Sequence, residues 1–380
     1  MTINTPRILE IHTSDRVGFK RCRRRWGWQS QLRGNLVPSV GETAAPLWFG
    51  SGFHFALEDY HGYNRFGNPA LAFEAYSEAT RGQRPSDYEE HEKLARGMLR
   101  YYTRRWEPRH KGSYQTLWVD GKPQCEVDIK LDITEFVLNR AGRAYRQMFY
   151  DIYGSDAEIV YSITFDRVVV DEHDRIWGVD YKTAKRMESG NLELNPQATS
   201  YSWVMWKFYD QEPEGILWHQ FLKAVPDAPQ KLANGHLSVN KNQKVTYSSY
   251  RAALKMHYAA KGIGVPWRQY TEFLNHLAYI ESEEGDEFIQ LHPIRRNAAM
   301  RAAEEEKIAY EVMDMLDPNL PLYPNPTRDC NWDCNFRAAC LGLDDGSDIA
   351  YMLATEYTQW QGYRDDWRAR ITYPEVQVTE

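Results

Sequence analysis

At 380 residues the chain is long enough for about two or three domains, and its composition, 42% hydrophobic and 26% charged, is that of a globular protein rather than a fibrous or disordered one. No apolar run approaches the ~18 residues needed to cross a bilayer, so no membrane partner is expected. A formal net charge of −7 excludes a protein that coats nucleic acid by bulk electrostatics, though not one with a local binding groove.

The opening "MTINTPRILEIHTSDR" lacks the basic start and apolar middle of a signal peptide, so a cytoplasmic protein is expected. Ser14 and Asp15 then start a helix predicted over 14–33, with Phe19, Cys22, Trp26 and Gln29 at helical spacing. Within it "KRCRRRWGW" packs five basic residues into six positions and follows them with aromatics. This is either a solvated helix face or, through Arg23, Arg24 and Arg25, a phosphate-contacting patch. A second helix is predicted over 46–63, where Gly50, Ser51 and Gly52 permit close approach and His54 shares a face with Glu58. A third spans 86–107.

Strands follow at 114–119, 123–133, 159–171 and 175–183, and a helical insertion occupies 134–156. The turn "DEHD" (171–174) joins the last two strands as a hairpin. A helix at 195–210 and a strand at 215–225 complete this part. Helices are then predicted at 247–260, 266–281 and 295–316, with a strand at 288–294. A Pro-rich stretch, 317–330, leads to the cysteine cluster "CNWDCNFRAAC" and a polar tail.

The strand "GVDYKTAK" places Asp180 and Lys182 on one face, two residues apart. Such a pair is either a surface ion pair or a metal ligand beside a catalytic lysine. Asp120–Gly121–Lys122, Asp128–Ile129–Lys130 and Glu305–Glu306–Lys307 show the same pattern. Only Asp180 has a second acid, Asp166, set in an otherwise apolar strand across the hairpin. Two carboxylates side by side repel unless a cation sits between them. Carboxylate oxygens suit Mg²⁺ or Mn²⁺, His54 could add a nitrogen, and a divalent ion so held is what phosphodiester hydrolysis needs.

Cysteine is rarely disulfide-bonded in the cytosol. Cys330, Cys334 and Cys340 cluster, and Cys22, set among cations that favour its thiolate, is the better fourth ligand for them. Cys125 is expected to pack as a small hydrophobe.

"FGSGFHFALE", "FDRVV", "GVDYKT" and "QATSY", in that order, resemble the motifs of the RecB-type branch of the PD-(D/E)XK nuclease superfamily. With the bracketing cysteines the chain is similar to the iron–sulfur members: CRISPR-associated RecB-like exonucleases, the AddB nuclease domain and phage relatives. The resemblance implies an α/β restriction-endonuclease-like core, a mixed central sheet flanked by helices, with added helical regions and a C-terminal iron–sulfur segment. Residues 1–112 would be a helical region carrying Cys22 and His54, 113–225 the nuclease core, 226–320 a mainly helical region, and 321–380 the cluster segment and tail. His54, Asp166, Asp180 and the Tyr181 carbonyl would hold the metal, with Glu126 a weaker match to a family acid. Lys182 would be the catalytic lysine, and Gln197 and Tyr201 would position the DNA strand and the lysine. Cys22, Cys330, Cys334 and Cys340 would bind a [4Fe–4S] cluster, with structural Zn²⁺ as the rival. The expected activity is a metal-dependent DNA exonuclease on single-stranded or end-containing DNA, in a bacterial or phage-infected cell, with a recombination or helicase partner. The alternative is an inactive DNA-binding accessory of recombination or packaging.

Overall fold

A computed structural model describes residues 7–39, 45–107, 112–187, 190, 192–281, 286–360 and 367–374. In chain order it comprises β1 (Ile8–His12), α1 (Thr13–Arg21), α2 (Arg23–Gln29), β2 (Leu36–Pro38), α3 (Ala45–His61), α4 (Pro69–Ala79) and α5 (Tyr88–Tyr101). Strands β3 (Tyr114–Thr116), β4 (Trp118–Val119), β5 (Lys122–Pro123) and β6 (Cys125–Asp132) follow, then α6 (Thr134–Arg140), α7 (Arg143–Tyr153), β7 (Glu158–Asp171) and β8 (Ile176–Ala184). The second half holds α8 (Pro196–Tyr209), β9 (Gly215–Leu222), α9 (Tyr247–Ala259), α10 (Trp267–Ile280), β10 (Ile289–Arg295), α11 (Ala298–Leu316), α12 (Arg337–Asp345), α13 (Ile349–Glu356) and β11 (Tyr357–Gln359).

The central sheet runs β1-β7-β8-β9-β10, with β3 and β6 also pairing with β7. It is mixed: β1 and β7 are parallel, as are β8 and β9, and the other pairs are antiparallel. Parallel β8 and β9 need a crossover, and α8 supplies it. Strand β7 is nearly continuously apolar because both of its faces are buried. Ile159, Tyr161, Ile163 and Phe165 face a core shared with Trp203, Val204 and Met205 of α8 and Ile308 and Val312 of α11. On the opposite face, Val169, Trp177, Val179 and Tyr181 pack against Phe49, Phe53, Phe73 and Leu99 of α3, α4 and α5. Gly52 lets α3 and α4 approach, since a Cβ there would stand 2.4 Å from the Tyr76 ring; Gly50 has no neighbour within 4 Å. A smaller cluster joins α9 to α10, and another gathers Phe336, Ala339 and Tyr357.

The structure corrects or completes the sequence expectation at three places. The helix predicted over 14–33 breaks at Cys22, which is extended (φ −161°, ψ 108°) between α1 and α2. Residues 8–12, to which the sequence assigned no element, form a strand, with Leu9 and Ile11 buried in the core beside β7. The tail is not featureless, since β11 pairs with β2 and ties residues 357–359 to 36–38.

Candidate active site

The site lies where β7 and β8 part. Their paired register ends at Arg167 opposite Val179. One step further, Asp166 faces Asp180, and the Tyr181 N–H donates to Asp166 Oδ2 (2.5 Å) instead of to a backbone carbonyl. Beyond this point β8 continues only with β9. A strand residue presents its N–H and C=O to the same edge, so the Tyr181 carbonyl lies on the Asp166 side.

At the same level the side-chain alternation of β7 changes phase. Phe165 packs into the α8 face of the core and Val168 does so again, whereas strict alternation would require 167. Opposite, between the pairs Cys125–Arg167 and Val127–Phe165, Glu126 is left-handed at φ +46°. A non-glycine residue in this region is strained and re-aims its side chain. The Glu126 carboxylate thereby meets His54 from α3: His54 Nδ1 lies 3.2 Å from Asp166 Oδ1 and 3.5 Å from Glu126 Oε1.

Among the described residues, His54, Glu126 and Asp166 are the group of three able to hold one metal ion, their ligand atoms all within 4.8 Å of one another. Ligands about 2.1 Å from a divalent ion sit roughly 3–4 Å apart, so the spacing fits. The donor set fits as well, because one Nδ1–H cannot serve two carboxylates and Glu126 Oε1 is buried without an aligned donor. Burial raises the Glu126 carboxyl above its ordinary range. Burial also lowers His54, but the Asp166 and Glu126 carboxylates outweigh it and hold the imidazole well above its usual value. Asp166 is likewise raised by burial, and His54, Lys182 and the Tyr181 N–H bring it below the ordinary range.

Asp180 is 2% exposed and stands just behind this group. Lys182 Nζ lies 3.0 and 2.9 Å from its two oxygens, and Gln197 Nε2 donates to Oδ1 at 3.2 Å. Burial, reinforced by Asp166, pushes the Asp180 carboxyl up to about 6 although Lys182 pulls the other way. Lys182 also rests over the Trp218 ring, 4.9 Å from its centroid. Gln197 opens α8, where Asn195 caps the helix and Pro196 stands at its first position. Its amide also donates to Tyr201 Oη one turn on (2.9 Å). The structure therefore gathers His54, Asp166, Asp180, Tyr181, Lys182, Gln197 and Tyr201 at one place.

The other Asp/Glu-x-Lys triplets lie elsewhere. Asp128 is exposed and bonded to Thr164, while Lys130 pairs with Glu10 (2.8 Å). Asp120 and Gly121 form the two-residue turn of the β4–β5 hairpin with φ of +49° and +73°. Glu305 pairs with Arg140 and Lys207. Reading from sequence gave Glu126 only a weak place; its signal, an acid directly across β7 from Asp166, becomes visible once the β6–β7 register is known.

The arginine run faces the protein. Arg23 pairs with Asp314 (3.2 Å), Arg24 with Asp344 (3.1 Å) and Arg25 with Asp333 (3.4 Å), while Arg21 reaches Asp329 and Asp333. Arg24 Nη1 also donates to Cys340 Sγ at 3.2 Å. The Cys22 turn is thus docked on the segment carrying Cys330, Cys334 and Cys340, and none of these four cysteines is in a disulfide. Among the described residues they do not converge as ligands for a single ion. Cys125 sits apart on β6, where burial pushes its thiol up to about 12.

A mixed α/β sheet that opens at a pair of acids, with a histidine and a third acid at metal-ligand spacing and a lysine against the second acid, defines a metal-dependent phosphodiester hydrolase. The chain matches the PD-(D/E)XK nuclease superfamily over residues 14–341 and belongs to it. No curated protein matches the chain.

Proposed function

We propose that the protein is a DNA exonuclease that uses Mg²⁺ or Mn²⁺ and prefers single-stranded or end-containing DNA. The observation that carries metal-dependent hydrolysis is the convergence of Asp166, Glu126 and His54 around one point, with Asp180 and Lys182 alongside; the exonuclease mode and the preference for ends or single strands rest on the motif resemblance. Crowded carboxylates repel a phosphodiester, so a cation that offsets them favours the approach of the phosphate to the point of cleavage. His54, Glu126, Asp166 and the Tyr181 carbonyl would hold the ion, with Asp180 adjoining. Bound there, a divalent ion activates water and binds the charge that develops on the phosphate. The Lys182 ammonium, anchored by Asp180, is placed to orient the attacking water and stabilise that same charge. Gln197 fixes Asp180 and Tyr201 together, which keeps the lysine aimed.

From the motif resemblance we infer that Cys22, Cys330, Cys334 and Cys340 would hold a structural [4Fe–4S] cluster, with Zn²⁺ as the rival; it would close the N-terminal turn onto residues 330–340. The paired arginines belong to this docking, and we do not assign them to DNA.

The test is cleavage of 5′- or 3′-labelled single-stranded DNA in Mn²⁺ or Mg²⁺, run beside a circular single strand. Release of short products from the linear strand alone supports the proposal. Nicking of the circle makes the enzyme an endonuclease, and no cleavage with either ion overturns the reading.

A further inference from the structure

The face of α3 that carries His54 continues through Glu58 to Gly62, each one turn of helix further on. Strand β6 and the hairpin before it run alongside. Glu126 meets His54 at one end, and at the other a Cβ on Gly62 would stand 3.3 Å from Pro123. Thr116 Oγ1 donates to the His61 carbonyl (2.8 Å) and fixes the same contact. The metal-ligand group and the β4–β5 hairpin therefore stand at the two ends of one stretch of α3, about 12 Å apart at eight residues of 1.5 Å each, with the Glu58–Arg368 ion pair (2.8 Å) between them.

Past the end of α3 stand aromatics that the cores do not absorb. Tyr63 is 52% exposed and Trp118 49%, their rings edge to face with centroids 5.8 Å apart. Arg65 lies between the Tyr63 and Tyr373 rings, 4.7 and 4.5 Å from their centroids. Asp59 accepts the backbone N–H groups of Arg65 and Phe66 and feels the attraction of the Arg65 charge, but among the described residues no carboxylate forms an ion pair with the Arg65 guanidinium. This contrasts with Arg21 to Arg25, each of which has a partner acid or is docked by one. Single exposed aromatics need no explanation. A Trp–Tyr pair beside an arginine, at the far end of the α3 face that starts at His54, calls for one.

We propose that Tyr63, Trp118 and Arg65 form a stacking platform for the unpaired bases of the strand whose phosphate lies at His54, Glu126 and Asp166. The proposal rests on the nuclease reading and adds what holds the strand beside the cut. Every base offers a π-face, so aromatic rings grip single strands without regard to sequence, and an arginine adds a cation–π contact and a phosphate partner. A duplex hides those faces in its stack. The two-residue Asp120–Gly121 turn pairs the Trp118 backbone with Pro123, so that backbone is ordered before binding.

Binding of the full chain to labelled oligo-dT and to an abasic strand of equal length, in EDTA so that nothing is cut, tests this. The wild type should prefer oligo-dT. Tyr63→Ala with Trp118→Ala should weaken oligo-dT binding by about tenfold or more while leaving the abasic strand unchanged, given the usual contribution of a stacked base. Trp118→Phe should restore most of the loss. In Mn²⁺ the double variant should show a raised KM with kcat nearly unchanged. Equal weakening on both strands, or none on either, overturns the platform. A wild type that prefers oligo-dT yet cuts nothing overturns the nuclease reading and leaves the platform standing.

Discussion

Replacing Asp180 by Asn should stabilise the metal-free protein while abolishing cleavage. The Asp180 carboxyl is buried beside Asp166 and is pushed from 3.8 to about 6. A carboxyl raised in the fold has its ionised form disfavoured there. The fold thus carries a penalty above pH 6, and the penalty disappears as pH falls toward 4, where folded and unfolded chains are both protonated. A shift of about two units corresponds to about 3 kcal/mol at neutral pH. Asn removes that penalty and can still accept from Lys182 and Gln197, but it takes the negative partner from Lys182. That side chain is 38% exposed, so water replaces much of the lost attraction, leaving a net gain of about 1–2 kcal/mol. For a chain of this length the melting temperature should rise by about 1–3 °C. Calorimetry in EDTA at pH 7.5 reads this directly, and the difference between the two proteins should shrink at pH 5. Saturating Mn²⁺ should raise the wild-type melting point by ligand linkage and the variant's by less. If Asp180→Asn melts below wild type in EDTA at pH 7.5, the buried carboxylate is not under strain and the reasoning fails.

Lys182→Ala should lower kcat by about 10²–10³-fold, as for removal of a group that stabilises developing charge, while Asp128→Ala, whose side chain points outward, should cut normally; the reverse pattern in a single-turnover assay would place the chemistry on the wrong strand. Protein purified without oxygen should be brown, with broad absorption near ~400 nm from thiolate-bound iron, and should contain about four irons per chain. Cys22→Ser or Cys334→Ser should bleach it and Cys125→Ser should not, whereas one zinc and no iron would refute the cluster. Arg21→Ala with Arg25→Ala should speed proteolysis around residues 321–345 and leave the salt dependence of DNA binding unchanged; a flatter salt slope would return these arginines to the DNA surface.

What was legible in the sequence is what local patterns decide. Asp180 and Lys182 could be placed because a strand alternates its faces, and the short 171–174 turn brought Asp166 opposite. His54 and Glu58 could be placed on one face of α3 because a helix repeats every 3.6 residues. The start of α4 was also written locally, as Asn68 ahead of Pro69 with the Asn68 side chain accepting from the Ala70 N–H, but it went unread beside the stronger 86–107 pattern. Glu126 was not legible in the same way. Its role depends on a left-handed backbone and on a change of phase in β7, both set by how the strands separate rather than by residue spacing. The 14–33 helix misled for a similar reason: periodicity runs through Cys22, but five neighbouring cations are each drawn to acids some 300 residues away.

Those distant pairs bear on how the site stays assembled. Arg16, 1% exposed, joins Glu304 and Glu311 of α11 to Tyr161 of β7 and Ser200 of α8. Arg33 donates to the carbonyls of Met315 and Asp317. The N-terminal segment thus clamps α11 against α8, the helix whose first turn aims Gln197 at Asp180. Breaking a buried pair leaves the other charge without compensation, at about 3–5 kcal/mol. The fork between β7 and β8 holds strained and like-charged groups that favour its collapse or spreading, so it needs rigid walls on both sides. The α3–α4–α5 layer provides one wall by apolar packing. The other, through α8 and α11, depends on buried charge supplied from the opposite end of the chain.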